Sequence, residues 1–394
     1  MRQFFPFFFV VAVILAACAS PAPTAVSSLP DATALHVTPA TSAPTASGTA
    51  PPTATIESPT DQPTLQPTNL PTLTSSPIPT QAPAQLIQLM DGGCCPSPGW
   101  SVDSENILFI DKPNADAPTG IYRVNLNAPN KSEMWSERVA FYTRDFDYAQ
   151  IPEQAGTRLI RVKDGKELRV KNGGRQVQFS PDRTRIVWTE TRDTFPIENR
   201  VSNIFSAPID FDGKGISEAE RVAQVLRGGV SGWLDNNRLL LNGRLSRDTE
   251  DSTTFVYDLA TDKQTEIFTA ERSRLTTPSR TGEWLAYVIV NDKDAARNGL
   301  WVERTDGTDA KKVDLFGAAQ WRDGTHLVIA SFEMNAPTHS FYEYDVETGE
   351  TRRLTPPSQP FKIASGDWAI SPDGNKIVFV NAADNNLWVW KFIE

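Results

Sequence analysis

Short apolar stretches recur through the body of the chain, at residues 107–110, 139–142, 186–189, 239–241, 285–288, 327–330 and 377–380. Successive starts lie 32, 47, 53, 46, 42 and 50 residues apart, a mean of 45. Stretches this short and this rich in Ile, Val and Leu read as strands, because a helix needs a longer apolar period. An all-strand unit repeated at this spacing predicts propeller blades, not paired helices of a solenoid.

Each unit follows one grammar. An aromatic or aliphatic residue opens it, a tight turn follows, and then comes the apolar strand. Phe179-Ser180-Pro181-Asp182 precedes Ile186, and Ile370-Ser371-Pro372-Asp373-Gly374 precedes Ile377. Trp100, Trp233 and Trp321 hold the same opening place. Pro sets φ for the turn, and Asp or Gly closes it. A variable loop then leads to a second alternating strand, such as Phe341-Tyr342-Glu343-Tyr344 or Leu387-Trp388-Val389-Trp390. Hairpin turns at Asp164-Gly165, Asp306-Gly307 and Thr348-Gly349 lead to the outermost strand, as in Thr351-Arg352-Arg353-Leu354-Thr355.

These residues resemble the TolB-type propeller repeat, which is also found in the N-terminal propeller of dipeptidyl peptidases. Residues 181–189, 341–355 and 371–380 carry the likeness best, whereas 133–172 and 231–270 lack the Ser-Pro-Asp core. The resemblance implies an all-β fold, a seven-bladed β-propeller over residues 86–394, with six or eight blades also compatible with the spacing.

The last unit supplies three strands, and an open edge there would invite aggregation. Leu86-Ile87-Gln88-Leu89-Met90-Asp91-Gly92-Gly93 echoes Val222-Ala223-Gln224-Val225-Leu226-Arg227-Gly228-Gly229, and a Trp that opens a unit follows each. Residues 85–90 are therefore expected to pair with 386–392 and fasten the ring. A short amphipathic helix at 216–226 is the alternative for the second of these segments.

Composition divides the rest of the chain. Residues 4–17 are apolar after Met1-Arg2-Gln3, too short to span a bilayer, and end Leu15-Ala16-Ala17-Cys18. This end is similar to a bacterial lipobox, so 1–17 reads as a lipoprotein signal peptide and Cys18 as the lipidated residue; an ordinary signal or an uncleaved anchor would fit the same segment. Residues 19–85 hold 14 Pro, 14 Thr and 8 Ser among 67 and no aromatic residue. Such a segment cannot bury enough apolar surface to offset its ordering entropy, so 18–85 is expected to be a disordered tether. The expected location is the bacterial cell envelope, outside the cytoplasm and lipid-anchored to a membrane.

The net charge of −10, with no Lys/Arg cluster, argues against nucleic acid as a partner. No Gly-x-Ser-x-Gly elbow, His-Glu-x-x-His, P-loop or dinucleotide fingerprint is present. No cofactor and no metal is expected; Asp210-x-Asp212-Gly213 lacks the closing Glu of a calcium loop and reads as a turn. The expected function is a monomeric, non-catalytic module that binds an envelope protein or a glycan through variable loops on one face. The alternatives are a glycosidase or lyase with carboxylates at the ring axis, and a solute-binding module. Candidate ligand-face residues are Arg144, Asp145, Tyr148, Arg192, Asp193, Arg247, Asp292, Asp294 and Arg297. Cys94 and Cys95 are the only thiols of the body. A vicinal disulfide, two free thiols and a metal contact are all compatible with their placement. Of the two body histidines, His326 reads as structural.

Overall fold

The computed structural model describes residues 85–91, 95, 97–112, 116–137, 140–192, 199–332 and 336–392. Cys18, the signal peptide, the proposed tether, Cys94 and Asp193 lie outside the described residues.

The described chain is all-β and forms a propeller arrangement. Sheet I contains Gly99–Trp100, Asn106–Asp111, Gly120–Asn125 and Ser132–Ser136. Sheet II contains Phe141–Tyr142, Tyr148–Glu153, Gly156–Arg161 and Glu167–Val170. Sheet III has eight strands and runs from Gln178–Phe179 to Lys263–Ala270. Sheet IV contains Ser273–Pro278, Trp284–Ile289, Gly299–Arg304 and Lys311–Val313. Sheet V contains Gly317–Trp321, His326–Ser331, Phe341–Asp345 and Thr351–Arg353. Sheet VI joins Ile363–Ile370, Lys376–Asn381 and Leu387–Lys391 to Gln85–Met90.

The expectation of seven separate blades is therefore corrected. Five blades stand as separate four-stranded sheets, and the chain between them forms the single eight-stranded sheet III. The cause is Glu220–Trp233, a strand of 14 residues. Its first part pairs with Val201–Asp210 and its second with Arg238–Arg244, with a register shift between Leu226 and Gly229. Only glycine fits at this crossing: a Cβ on Gly228 would stand 1.8 Å from the carbonyl oxygen of Asn242. The helix considered for 216–226 is replaced by this strand and by Gly215–Ile216.

Ring closure occurs where the sequence echo places it. Gln85–Met90 runs antiparallel to Leu387–Lys391, with Leu86 opposite Trp390 and Ile87 opposite Val389. Leu86 packs on the core between sheets V and VI, while Leu89 and Met90 are buried with Trp100 and Val389 between sheets VI and I.

Burial falls from the middle of each sheet to its outer edge. Trp284–Ile289 is buried at every position, whereas Lys263–Ala270 is mostly exposed. A middle strand is covered on both faces by neighbouring sheets, so its sequence is continuously apolar instead of alternating. Apolar clusters fill the spaces between adjacent sheets, and Trp135, Tyr142 and Phe146 pack edge-on or tilted between sheets I and II at 5.3–5.8 Å between ring centres.

One turn joins the first and second strands of every unit. Ser101, Thr143, Ser180, Ser279 and Ser371 each accept, on the side-chain oxygen, the amide N–H five residues ahead. At the other two turns a carboxylate takes over: Asp235 accepts from Asn237 and Arg238, and Asp323 from Thr325 and His326. A side-chain acceptor satisfies turn amides that the ladder cannot reach. These turns also link neighbours: Asp182 N donates to Asn236 at 3.0 Å, and Asp373 N to Ser104 Oγ at 3.0 Å.

Candidate functional site

The inner strands meet around the ring axis. Gly99–Trp100 and Gly317–Trp321 both contact Ile363–Ile370, and Ser273–Pro278 contacts Gly317–Trp321. The opening tryptophans tie these strands together. Trp100 Nε1 donates to Ala369 O at 2.9 Å, Trp321 Nε1 to Thr277 O at 2.9 Å and Trp233 Nε1 to Gln178 O at 3.1 Å. Each indole is thus buried with its polar edge satisfied, as a large aromatic side chain requires.

Between these strands lies a cavity of about 690 Å³. Its wall is built from Trp100, Trp321, Trp368 and Gln320, and its charged residues are Arg144, Asp145 and Arg280 from the first-to-second-strand turns. Arg144 Nη2 donates to Gln320 Oε1 at 3.0 Å. Arg280 donates through Nη2 to Ser371 O at 2.8 Å and through Nη1 to Pro372 O. Both side chains are open to solvent by area, yet surrounding protein lowers the pKa of each, as expected for groups standing inside a cavity. For Arg280 burial is the leading cause, followed by repulsion from Arg144. Asp145 forms an ion pair with Arg183.

Two corrections concern the candidate residues. Arg144 and Asp145 were expected in a long loop on the variable face, but they lie in the Thr143 turn, on the opposite, short-turn face. Tyr148 begins the second strand, is buried and stacks on Phe179 at 4.6 Å between ring centres, so it faces the core rather than a ligand. The remaining candidates are elsewhere. Arg192 ends the strand Arg185–Arg192, and Arg247 is exposed after Arg238–Arg244. Asp292, Asp294 and Arg297 are engaged with protein: Arg297 pairs with Asp292 at 3.1 Å and donates to Thr269 O at 2.6 Å, and Asp294 accepts from Ala296 N at 3.0 Å. None of these is among the cavity-lining residues. Cys95 is buried and disulfide-bonded.

Arg280, Gln320 and Trp368 were not anticipated. A signal for Arg280 is present: it follows Ser279 as Pro181 follows Ser180, and Arg144 follows Thr143 in the same way. Among the described residues no group of three or more His, Cys, Asp or Glu could hold a metal. Asp212 accepts from Arg161 at 2.6 Å and from Lys166 at 2.5 Å, and Asp210 accepts the Asp212 and Lys214 amides, so that segment is a closed turn. His326 Nδ1 lies 3.0 Å from Asp323 within its own turn. No described helix is long and apolar enough to cross a membrane.

The fold and its axial cavity define a β-propeller. No protein-family model matches the sequence, and no curated protein does. Similar solved structures include an oligogalacturonate lyase in complex with manganese, with TM-score 0.53 and 14% identity, covering 80% of this chain and 98% of that one. The oligogalacturonate lyase of Vibrio parahaemolyticus gives TM-score 0.53 and 11% identity over 79% and 98%. The putative TolB of Agrobacterium tumefaciens gives TM-score 0.36 and 14% identity over 77% and 91%. TolB-like and dipeptidyl-peptidase-like propellers are thus both among the structures this chain resembles, and the likeness is one of fold.

Proposed function

We propose that this protein is a lipid-anchored extracytoplasmic binding module whose ligand enters the axial cavity and undergoes no covalent change. Lipid on Cys18 would hold it to a membrane of the cell envelope, and residues 18–85 would act as the spacer.

One observation carries the binding reading. The cavity's charged lining is two guanidinium groups and a single carboxylate, and that carboxylate is already engaged by Arg183. Hydrolysis of a glycosidic bond asks for two carboxyl groups facing each other across the substrate. The described lining offers no such pair. The volume suits a ligand of about drug or disaccharide size.

The second reading is a lyase acting on acidic glycans, favoured by the fold likeness to the two oligogalacturonate lyases. One experiment separates them. The full chain is incubated with oligogalacturonates and with neutral oligosaccharides, while tryptophan fluorescence follows binding and ultraviolet absorbance follows unsaturated products. Binding without product supports the module; product formation that depends on the protein overturns it. For the anchor, Cys18→Ser is expected to move the protein from the membrane fraction to the soluble one, and continued membrane retention would refute it.

A further inference from the structure

We propose that the axial cavity is a receptor for a carboxylate-bearing small ligand held jointly by Arg144 and Arg280. The proposal deepens the binding-module reading and rests on it.

The chain carries −10 overall, yet this cavity concentrates two cations. Among the described residues neither forms an ion pair, although Asp323 and Asp373 attract Arg280 from further off. Arg144 is bonded to the neutral Gln320, and Arg280 to the backbone carbonyls of Ser371 and Pro372. Asp145, the one acid in the lining, is taken by Arg183. A guanidinium has five N–H donors in a planar fork, so both retain donors for a ligand.

The pair is also mutually unfavourable. Burial raises the cost of charge on both; at Arg280 repulsion from Arg144 adds to it, and attraction to Asp323 and Asp373 offsets it only in part. Arginine stays protonated in proteins, so this cost cannot be relieved by losing a proton. An entering anion relieves it directly, and a carboxylate matches the fork with two parallel N–H···O bonds. The positions are braced in advance. Gln320 also donates to Trp368 O at 2.9 Å, and the turn oxygen of Thr143 accepts the Tyr148 amide at 3.1 Å.

The surroundings narrow the ligand further. Trp100, Trp321, Trp368, Pro98, Pro278 and Pro372 give the cavity an apolar wall beside its two charges. That combination suits a compact molecule with a C–H face and an acidic group. The acidic group has two sources of the same chemistry, a uronic acid or a free polycarboxylate. A long polyanion such as nucleic acid is disfavoured by the net negative charge of the chain.

The test uses the full chain and follows binding by tryptophan fluorescence and calorimetry. The probes are a disaccharide of two uronic acids, its methyl ester, citrate and inorganic phosphate. Either carboxylate probe should bind, the preference between them naming the source, and affinity should fall as salt is added. The methyl ester should bind at least roughly tenfold more weakly, as expected when a charge-assisted hydrogen bond is lost. Arg144→Gln and Arg280→Gln should each cost a similar factor, while Arg247→Gln on the other face changes nothing. Equal binding of acid and ester, or unchanged affinity in both arginine variants, overturns the anion grip but leaves a binding module standing. Phosphate as the sole ligand overturns the carboxylate assignment. No response to any probe overturns the proposal outright, with the module reading judged by its own experiment. Should a variant fail to fold, the salt dependence and the ester comparison on the unaltered chain decide.

Discussion

Arg144 reaches from sheet II to Gln320 of sheet V, 176 positions along the chain, and donates to its Oε1 at 3.0 Å. Gln320 also donates to Trp368 O at 2.9 Å and accepts from Ile370 N at 3.3 Å, which ties sheet V to sheet VI. One side chain therefore ties two inner strands and the Thr143 turn together around the axis.

Gln320→Leu is expected to destabilise the fold by about 1–3 kcal/mol, because Ile370 N and Trp368 O lose their partner in a half-buried place. Urea unfolding checks this. A variant as stable as the parent would show that water replaces the amide without loss.

The fused sheet gives a paired glycine test. A Cβ at Gly228 would stand 1.8 Å from Asn242 O, while one at Gly232 meets nothing within 4 Å. Gly228→Val should cost about 3 kcal/mol or more, by strand displacement, and Gly232→Ala should stay within about 0.5 kcal/mol. Thermal melts of both variants side by side measure the contrast.

The seam of the ring makes a third prediction. Leu86 lies opposite Trp390 and packs on the cluster containing Phe379 and Trp390. Leu86→Asp should destabilise by about 2 kcal/mol or more. Deleting residues 85–90 leaves Leu387–Lys391 as an open edge, and light scattering should then report self-association.

A fourth prediction concerns pH. Glu303 is buried, forms no ion pair among the described residues and accepts from Tyr287 Oη at 2.7 Å. Burial raises its pKa above the ordinary 4.5. The folded state therefore takes up this proton at higher pH than the unfolded chain does. Its contribution favours folding in acid and is lost as pH rises through the raised value. Glu303→Gln, which keeps the acceptor, should be more stable than the parent at neutral pH, with the advantage fading in acid. Denaturation midpoints measured across that range give the answer.

How much was legible in the sequence differs by feature. The closing strand was readable because the chain repeats itself, Leu86–Gly93 against Val222–Gly229, and strand pairing follows local pattern. The Ser180 and Ser371 turns were readable from Ser-Pro-Asp. Sheet II was misread because the apolar residues 139–142 imitate a second strand, whereas the true one, Tyr148–Glu153, carries Gln150 and Pro152. Gln150 belongs there because it bonds both the N–H and the C=O of Val177. That slip carried Arg144 and Asp145 to the wrong face. The fusion of sheet III was hidden because Gly228-Gly229 reads as a break, while the structure uses it to let two strands pass closely. The axial cavity had no local signature, since its lining comes from positions far apart in the chain.

The pairing of Gln85 with Lys391 has a mechanical consequence. Any pull transmitted along the chain ahead of Gln85 arrives first at the joint that holds the circle shut, not at a peripheral loop. A load applied at Gln85 is thus a load on the clasp, and the packing of Leu86 beside Trp390 and of Leu89 and Met90 beside Val389 sets how much traction the ring bears before it springs open.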